Sequence, residues 1–578
     1  MQKQLLLSVF CLTQACFLLG IQSSPAQASG QMAQRIPSDT CLYFTVPNVK
    51  TAIKQWTNRS VLQILEEPAL SEFKEEITTS FEKASREIKK ETGYPLSTIL
   101  EVPSGEVSLA VFKTAEDRIG TVATMEYGEG ESSEVLKKLL SLAADHLNKA
   151  GAVRSIKRVN GTIFKTYSFE ATKSESDTVP LAREVAYFLK DNSLVISNDS
   201  KLLEAVLSDW EGRRSDSLAD NNEFQYILKK CEQEDASAAM HWYLNPINAI
   251  QSTLKIYAQF EPIAGMAQGV LPSLGITNLK ATGGSAYFFT KDYEFVSKTF
   301  TYVKLPGFGL IDVFHCPAIS QQPPWWVSNQ CVSYYSINWS IEDAYQAAES
   351  LHDGFRVSPG ALAKAIDDYS KQDDSPKIHL KKDLLDHLTG RIQIITEHQD
   401  LESVEQFFGR YTLVLGLKNP DTFNKTILAL SDRSESKIAI REFQGTTLYE
   451  YPDSFLPAAY CIIDNTFIAS TNVKELEMII RKDRQAGSLV DDPVFKKISK
   501  TFPTKTSIIS YQRLDAPFLA FTKLLQDNKY SGEIDAGLLS QIQSLDGAIK
   551  YLPITAGYTV PDDRGFFSVR MIMNNSFD

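Results

Sequence analysis

The chain has 578 residues, 43% hydrophobic and 10% aromatic, which allows two to four domains with real cores and argues against disorder. Its net charge of −12 offers nothing for nucleic acid or an anionic membrane surface to hold. Seven cysteines are too few for a disulfide framework, because Cys11 and Cys16 fall in the leader described next and five follow it.

In chain order, Lys3 is followed by an apolar run from Leu5 to Ile21 and then by Ala26-Gln27-Ala28. That is the layout of a secretory signal peptide with a small-residue cleavage site, so residues 1–28 are expected to be removed and the chain exported, to the periplasm or beyond. Cys16 after Ala15 raises a lipid-anchored alternative, but Phe17-Leu18-Leu19 continues the apolar core past it. No later segment offers the roughly 20 apolar residues of a membrane span.

"TCLYFTV" and "EVSLAVF" read as strands. Between them Phe73, Ile77, Phe81, Ala84 and Ile88 recur at helical spacing, and Gly93 ends the helix. "YFLKDNSLVIS" reads as two strands turning at Asp191-Asn192, with a helix from Ser200. That stretch then recurs: residues 187–207 lie on 460–480 with seven identities in 21 positions, among them Tyr187 with Tyr460 and Asn192 with Asn465. Neighbouring windows agree in order, "SLADNNEFQYILK" with "SLVDDPVFKKISK", "NGTIFKTY" with "QGTTLYEY", and "PSDTCLYF" with "VSNQCVSY".

The expectation is two tandem, internally duplicated units, 29–303 and 325–578, joined by a Pro- and Gly-containing linker over 304–324. In the second unit, Ser340 with Asp343 marks a capping box before a helix. Hairpins expected at Lys291-Asp292 and Asp562-Asp563 favour antiparallel pairing. The predicted fold class is α+β, mainly antiparallel sheet with packed helices.

The phrases "IPSDTCLYFTVPN", "EEPALSEFK", "FQGTTLYEY", "DNTFIAST" and "SLVDDPVF" resemble those of an uncharacterised domain-of-unknown-function family of exported bacterial, planctomycete-like proteins. The resemblance covers most of both units and implies export and an α+β fold; it carries no activity, ligand or catalytic residue.

Catalytic motifs are sparse. No G-x-S-x-G is present, and Ser71-x-x-Lys74, Ser80-x-x-Lys83 and Ser434-x-x-Lys437 lack the K-T-G that completes the penicillin-recognising pattern. Seven scattered histidines form no H-E-x-x-H; His315-Cys316 and Glu397-His398 with Asp400 are the densest clusters and read as solvated. The acidic "DDYSKQDDSPK" reads as a loop, and "GEGES" and "GFG" lack the Lys-Ser/Thr of a phosphate cradle. No catalytic, metal or cofactor site is expected.

Trp325 and Trp326 in "PPWWVS" are the candidate ligand-binding residues, as an aromatic platform, against the reading that they seal the junction between units. A bridge between Cys316 and Cys331 stands against the reading of small buried hydrophobes. The expected function is that of an exported, non-catalytic binding or structural component of the cell envelope. The alternatives are a ligand binder using the groove between the repeats and a hydrolase with dispersed carboxylates.

Overall fold

The computed structural model describes residues 30–114, 119–169, 184–211, 214–258, 264–265, 269, 271–290, 292–305, 307, 309–397, 410–431, 438–451, 458–483, 487–519 and 551–573. The leader therefore lies outside the described residues. The chain forms two compact units: the first ends at Val303 apart from Pro272–Asn278, and the second comprises those seven residues and Lys304–Asp578. No described helix is long and apolar enough to cross a membrane.

The first unit is built on β1 (Leu42–Val46), β2 (Pro103–Lys113), β3 (Ile119–Tyr127), β4 (Val153–Val159), β5 (Thr162–Ser168), β6 (Glu184–Lys190), β7 (Ser193–Ser197), β8 (Met240–Leu244), β9 (Leu279–Phe288) and β10 (Tyr293–Val303). Its strands lie in the order β4-β5-β6-β7-β3-β2-β1-β8-β9-β10, every pair antiparallel. The second unit has β11 (Ser333–Asn338), β12 (Leu388–Glu397), β13 (Arg410–Leu417), β14 (Ala439–Phe443), β15 (Thr446–Tyr451), β16 (Ala458–Ile463), β17 (Thr466–Ser470), β18 (Ile508–Arg513), β19 (Ile554–Asp562) and β20 (Gly565–Met573). They lie in the order β14-β15-β16-β17-β13-β12-β11-β18-β19-β20, again antiparallel. Within each unit the order is the same. So is a ladder irregularity, between Pro103 and Val107 on β2 and between Leu388 and Ile392 on β12. The α+β class is thus established.

Local chemistry explains the turns. Asp191-Asn192 and Asp464-Asn465 both have positive φ (48° and 56°, 48° and 59°), the conformation a two-residue hairpin with right-handed strand twist requires. Asn160-Gly161 and Gln444-Gly445 repeat the device between β4 and β5 and between β14 and β15.

Helices cover the sheets. In the first unit these include α1 (Val49–Thr57), α2 (Ser71–Thr92), α3 (Glu131–Lys149), α4 (Ser200–Ser208), α5 (Asn222–Lys230) and α6 (Pro246–Tyr257). The second unit includes α7 (Ile341–Arg356), α8 (Ala361–Lys371), α9 (Pro420–Ser431), α10 (Val473–Arg481) and α11 (Pro493–Ser499). α4 starts where Asp199 accepts from the Leu202 amide at 3.0 Å, and α2 stops at Gly93, whose φ of 86° closes the last turn. Phe224 of α5 sets its ring edge-on against Tyr43 and Tyr243, and Phe495 of α11 does the same against Tyr511.

Phe73, Ile77 and Phe81 of α2 lie on the expected helix and are about half exposed. Two expectations change. Ser340 precedes α7 as expected, but its hydroxyl donates to the Asp343 carboxylate at 2.5 Å and caps no amide. The first half of "DDYSKQDDSPK" belongs to α8 rather than to a loop. Segment 304–324 is packed on the second unit: Ile319 bridges to Thr506, and buried Gln321 bonds Thr506 and, at 2.6 Å, Ser336.

Candidate functional site

Alternation along the central strands of the first unit places polar groups on one face: Thr45 of β1 sits opposite Ser108 of β2 and His241 of β8, and His241 opposite Ser285 of β9. Glu106 precedes Ser108 by two positions and shares the face. Its carboxylate is buried, accepting from the Gln31 amide at 2.7 Å, the Met32 amide at 3.5 Å, the Thr45 hydroxyl at 3.2 Å and the Tyr43 hydroxyl at 3.4 Å. Burial pushes the Glu106 carboxyl upward, opposed by those amides, while nearby Glu126 adds to the rise. Glu126 itself accepts from the Glu106 amide at 3.0 Å.

Arg35 lies beside this group, 3.6 Å above the Trp210 ring, and its guanidinium is attracted by Glu106, Asp191, Glu126 and Glu211. Trp210 in turn donates to Asp191 at 2.7 Å. Carboxylates outnumber this one guanidinium, although Glu211 also pairs with Lys190 at 2.6 Å. His241 Nδ1 lies 2.8 Å from the Ser285 hydroxyl, and burial lowers the imidazole to about 4, leaving it neutral.

The second unit inverts the arrangement. Tyr43 faces Ala110 across β1 and β2, and Tyr334 faces Ile395 across β11 and β12, so Glu106 and Arg391, each four residues earlier, are equivalent. This register pairs Tyr43 with Tyr334, one residue away from the "PSDTCLYF"/"VSNQCVSY" alignment. Arg391 donates to the Gln322 carbonyl at 3.1 Å, and Tyr334 donates to the same oxygen at 3.5 Å. Gln31 precedes Tyr43 by the twelve positions that separate Gln322 from Tyr334. An amide meets an anion in one unit; a carbonyl meets a cation in the other.

A separate cleft of about 290 Å³ opens in the first unit, lined by Asp39, Cys41, Lys113, Asn248, Gln251, Ser252 and Lys255. Cys41 forms part of its wall, with Sγ 3.9 Å from the Ser252 hydroxyl, and burial pushes the thiol up, so it is protonated and a poor nucleophile at neutral pH. The polar lining suits a small hydrogen-bonding ligand rather than covalent chemistry. Cys231 and Cys461 are likewise driven by burial to about 12. The five cysteines keep their thiols, and no disulfide joins any described pair, so Cys316 and Cys331 are not bridged.

Trp325 is 43% exposed while Trp326 is 6% exposed. The neighbouring Val327 carbonyl accepts from Leu489, which fixes this segment to the second unit. His315 pairs with Asp343 at 2.5 Å. His398, Asp400 and Ser434-x-x-Lys437 lie outside the described residues; Ser80 and Lys83 are on the exposed surface of α2. No group of three or more potential metal ligands occurs among the described residues.

Sequence reading passed over Glu106, although a glutamate in register with Ser108, Ala110 and Phe112 on an inward face is the available signal. No protein-family model, curated protein or solved structure matches the chain.

Proposed function

We propose that this is an exported, non-catalytic binding or structural protein of the cell envelope, made of two copies of one module and akin to the exported bacterial family it resembles. The observation that carries the non-catalytic reading is how the buried titratable groups are engaged. Glu106 is occupied by the Gln31 and Met32 amides, His241 by Ser285, and burial keeps the thiols of Cys41, Cys231 and Cys461 protonated. The common strand order and the common ladder irregularity support duplication.

The cleft beside Cys41 favours a second reading, in which the first unit binds a small polar ligand. Native mass spectrometry of protein taken from its own exported compartment separates the two. A bare polypeptide mass is expected for the structural reading, whereas an added mass lost on denaturation supports the ligand reading. Recovery of the protein only from the cytoplasm contradicts export.

A further inference from the structure

One side of each sheet ends in an exposed strand, β4 in the first unit and β14 in the second. Among the described residues β4 pairs only with β5, and β14 only with β15. Asn160-Gly161 and Gln444-Gly445 are two-residue turns, so the flanking pairs, Val159 with Thr162 and Phe443 with Thr446, exchange backbone hydrogen bonds. By alternation Lys157, Ser155 and Val153 also spend their backbone groups on β5, and Arg154, Ile156 and Arg158 turn theirs outward. On β14 the outward residues are Ile440 and Glu442. Each edge is thus a row of open donors and acceptors, a template for a further strand.

The side chains on the two rows are complementary. Ile156 and Ile440 are both more than half exposed, and each stands three residues before the end of its strand. Arg154 and Arg158 flank Ile156 with no acidic partner among the described residues, whereas Lys157 between them is paired with Glu204. Beside Ile440 the charge is negative. Arg441 is already held by Glu450 at 2.5 Å and Glu477 at 2.6 Å. Glu442 gives only Oε1 to the Thr447 hydroxyl, at 2.6 Å, which leaves Oε2 for a further donor.

Pairing geometry selects the occupant. A second β4 set antiparallel on β4 about Ile156 would oppose Arg154 and Arg158 twice, like charges directly across the ladder. Two β14 strands would gain no ion pair. Set antiparallel with Ile440 opposite Ile156, β14 brings Glu442 opposite Arg154. Both rows lie on the face that α3 or α9 covers, because Arg154 stands opposite Tyr167 and Ile440 opposite Tyr449. Half a turn of a second copy in the plane of its β14 sheet makes the strands antiparallel and keeps that face common.

We propose that β4 of one molecule pairs with β14 of a second copy of this chain, antiparallel, with Ile156 opposite Ile440 and Arg154 opposite Glu442. Each chain brings one strand of either kind, so the contact is heterologous and repeats from copy to copy. It goes beyond the envelope reading and stands without it, since both edges belong to the folded units whatever compartment holds them.

Sedimentation velocity tests the pairing on the protein purified from the cells that make it. Its weight-average mass is expected to rise at least about twofold between about 1 μM and about 100 μM. Ile156→Pro and Ile440→Pro each remove one outward amide and no bond to β5 or β15, so both variants are expected to fold. Each is expected to stay monomeric alone. An equal mixture should give a species of two chains and nothing larger, because one intact edge of each kind remains. A natural protein that stays monomeric, a proline variant that still associates, or a mixture that forms no pair overturns the proposal.

Should a proline variant fail to fold, the charges answer the same question. Arg154→Glu and Glu442→Arg are each expected to weaken association several-fold, and the double variant to restore it. Single variants without effect, or losses that add in the double variant, overturn the pairing.

Discussion

His241 is the clearest case of a residue whose environment sets a measurable property. Burial lowers its folded pKa to about 4, below the ordinary 6.5 of a histidine. The stability it contributes is therefore fully present above pH 6.5 and is lost as pH falls toward 4, to the extent of about 3 kcal/mol. His241→Gln, which keeps a hydrogen-bonding group beside Ser285, should flatten the fall in Tm over that interval; an unchanged acid limb would contradict the assignment. Positive φ at Asn192 and Asn465 gives a second prediction. Replacement of either by Val should cost about 1–2 kcal/mol in chemical denaturation, and replacement by Gly should be near neutral. These turn residues were legible because Asp-Asn has few other uses between apolar runs. Glu106 was not, since a strand pattern shows which face a side chain takes but not what folds over it from 75 residues away. The different exposure of the two tryptophans was hidden for the same reason: adjacency in a non-helical segment sends neighbouring side chains to different surroundings.

Among the elements, α5 and α11 make the strongest comparison. Phe224 is 1% exposed and Phe495 is 3% exposed, each against a buried tyrosine of the sheet. Truncation of either to Ala should cost about 3–5 kcal/mol. Urea unfolding of the two variants checks this, and a large disparity would argue against equivalent roles. α2 makes the opposite prediction. With Phe73, Ile77 and Phe81 about half exposed, Phe81→Glu should change stability by no more than about 0.5 kcal/mol, as judged by its denaturation midpoint. Helical periodicity revealed the stripe on α2 correctly, but periodicity does not report whether a neighbour covers it. In the segment before β11, Pro and Gly content signals irregular backbone and says nothing of side chains such as Gln321, which tie that backbone to Ser336 and Thr506.

For the molecule as a whole, the described strands of the two units, ten in each, follow the same order, and the short sequence windows that read alike fall on corresponding strands. Matching turns and inward aromatics occur in both units because each hairpin and each packed helix needs them. The chemistry at equivalent polar positions is under no such constraint, and Glu106 and Arg391 have opposite charges at one place in the fold. Function was the least legible level, because binding depends on side chains assembled from distant strands. The most direct measurement is the N-terminal sequence of the protein recovered from fractionated cells. The account predicts a chain beginning at Ser29 in the exported fraction; an intact chain beginning at Met1 in the cytoplasm would contradict it.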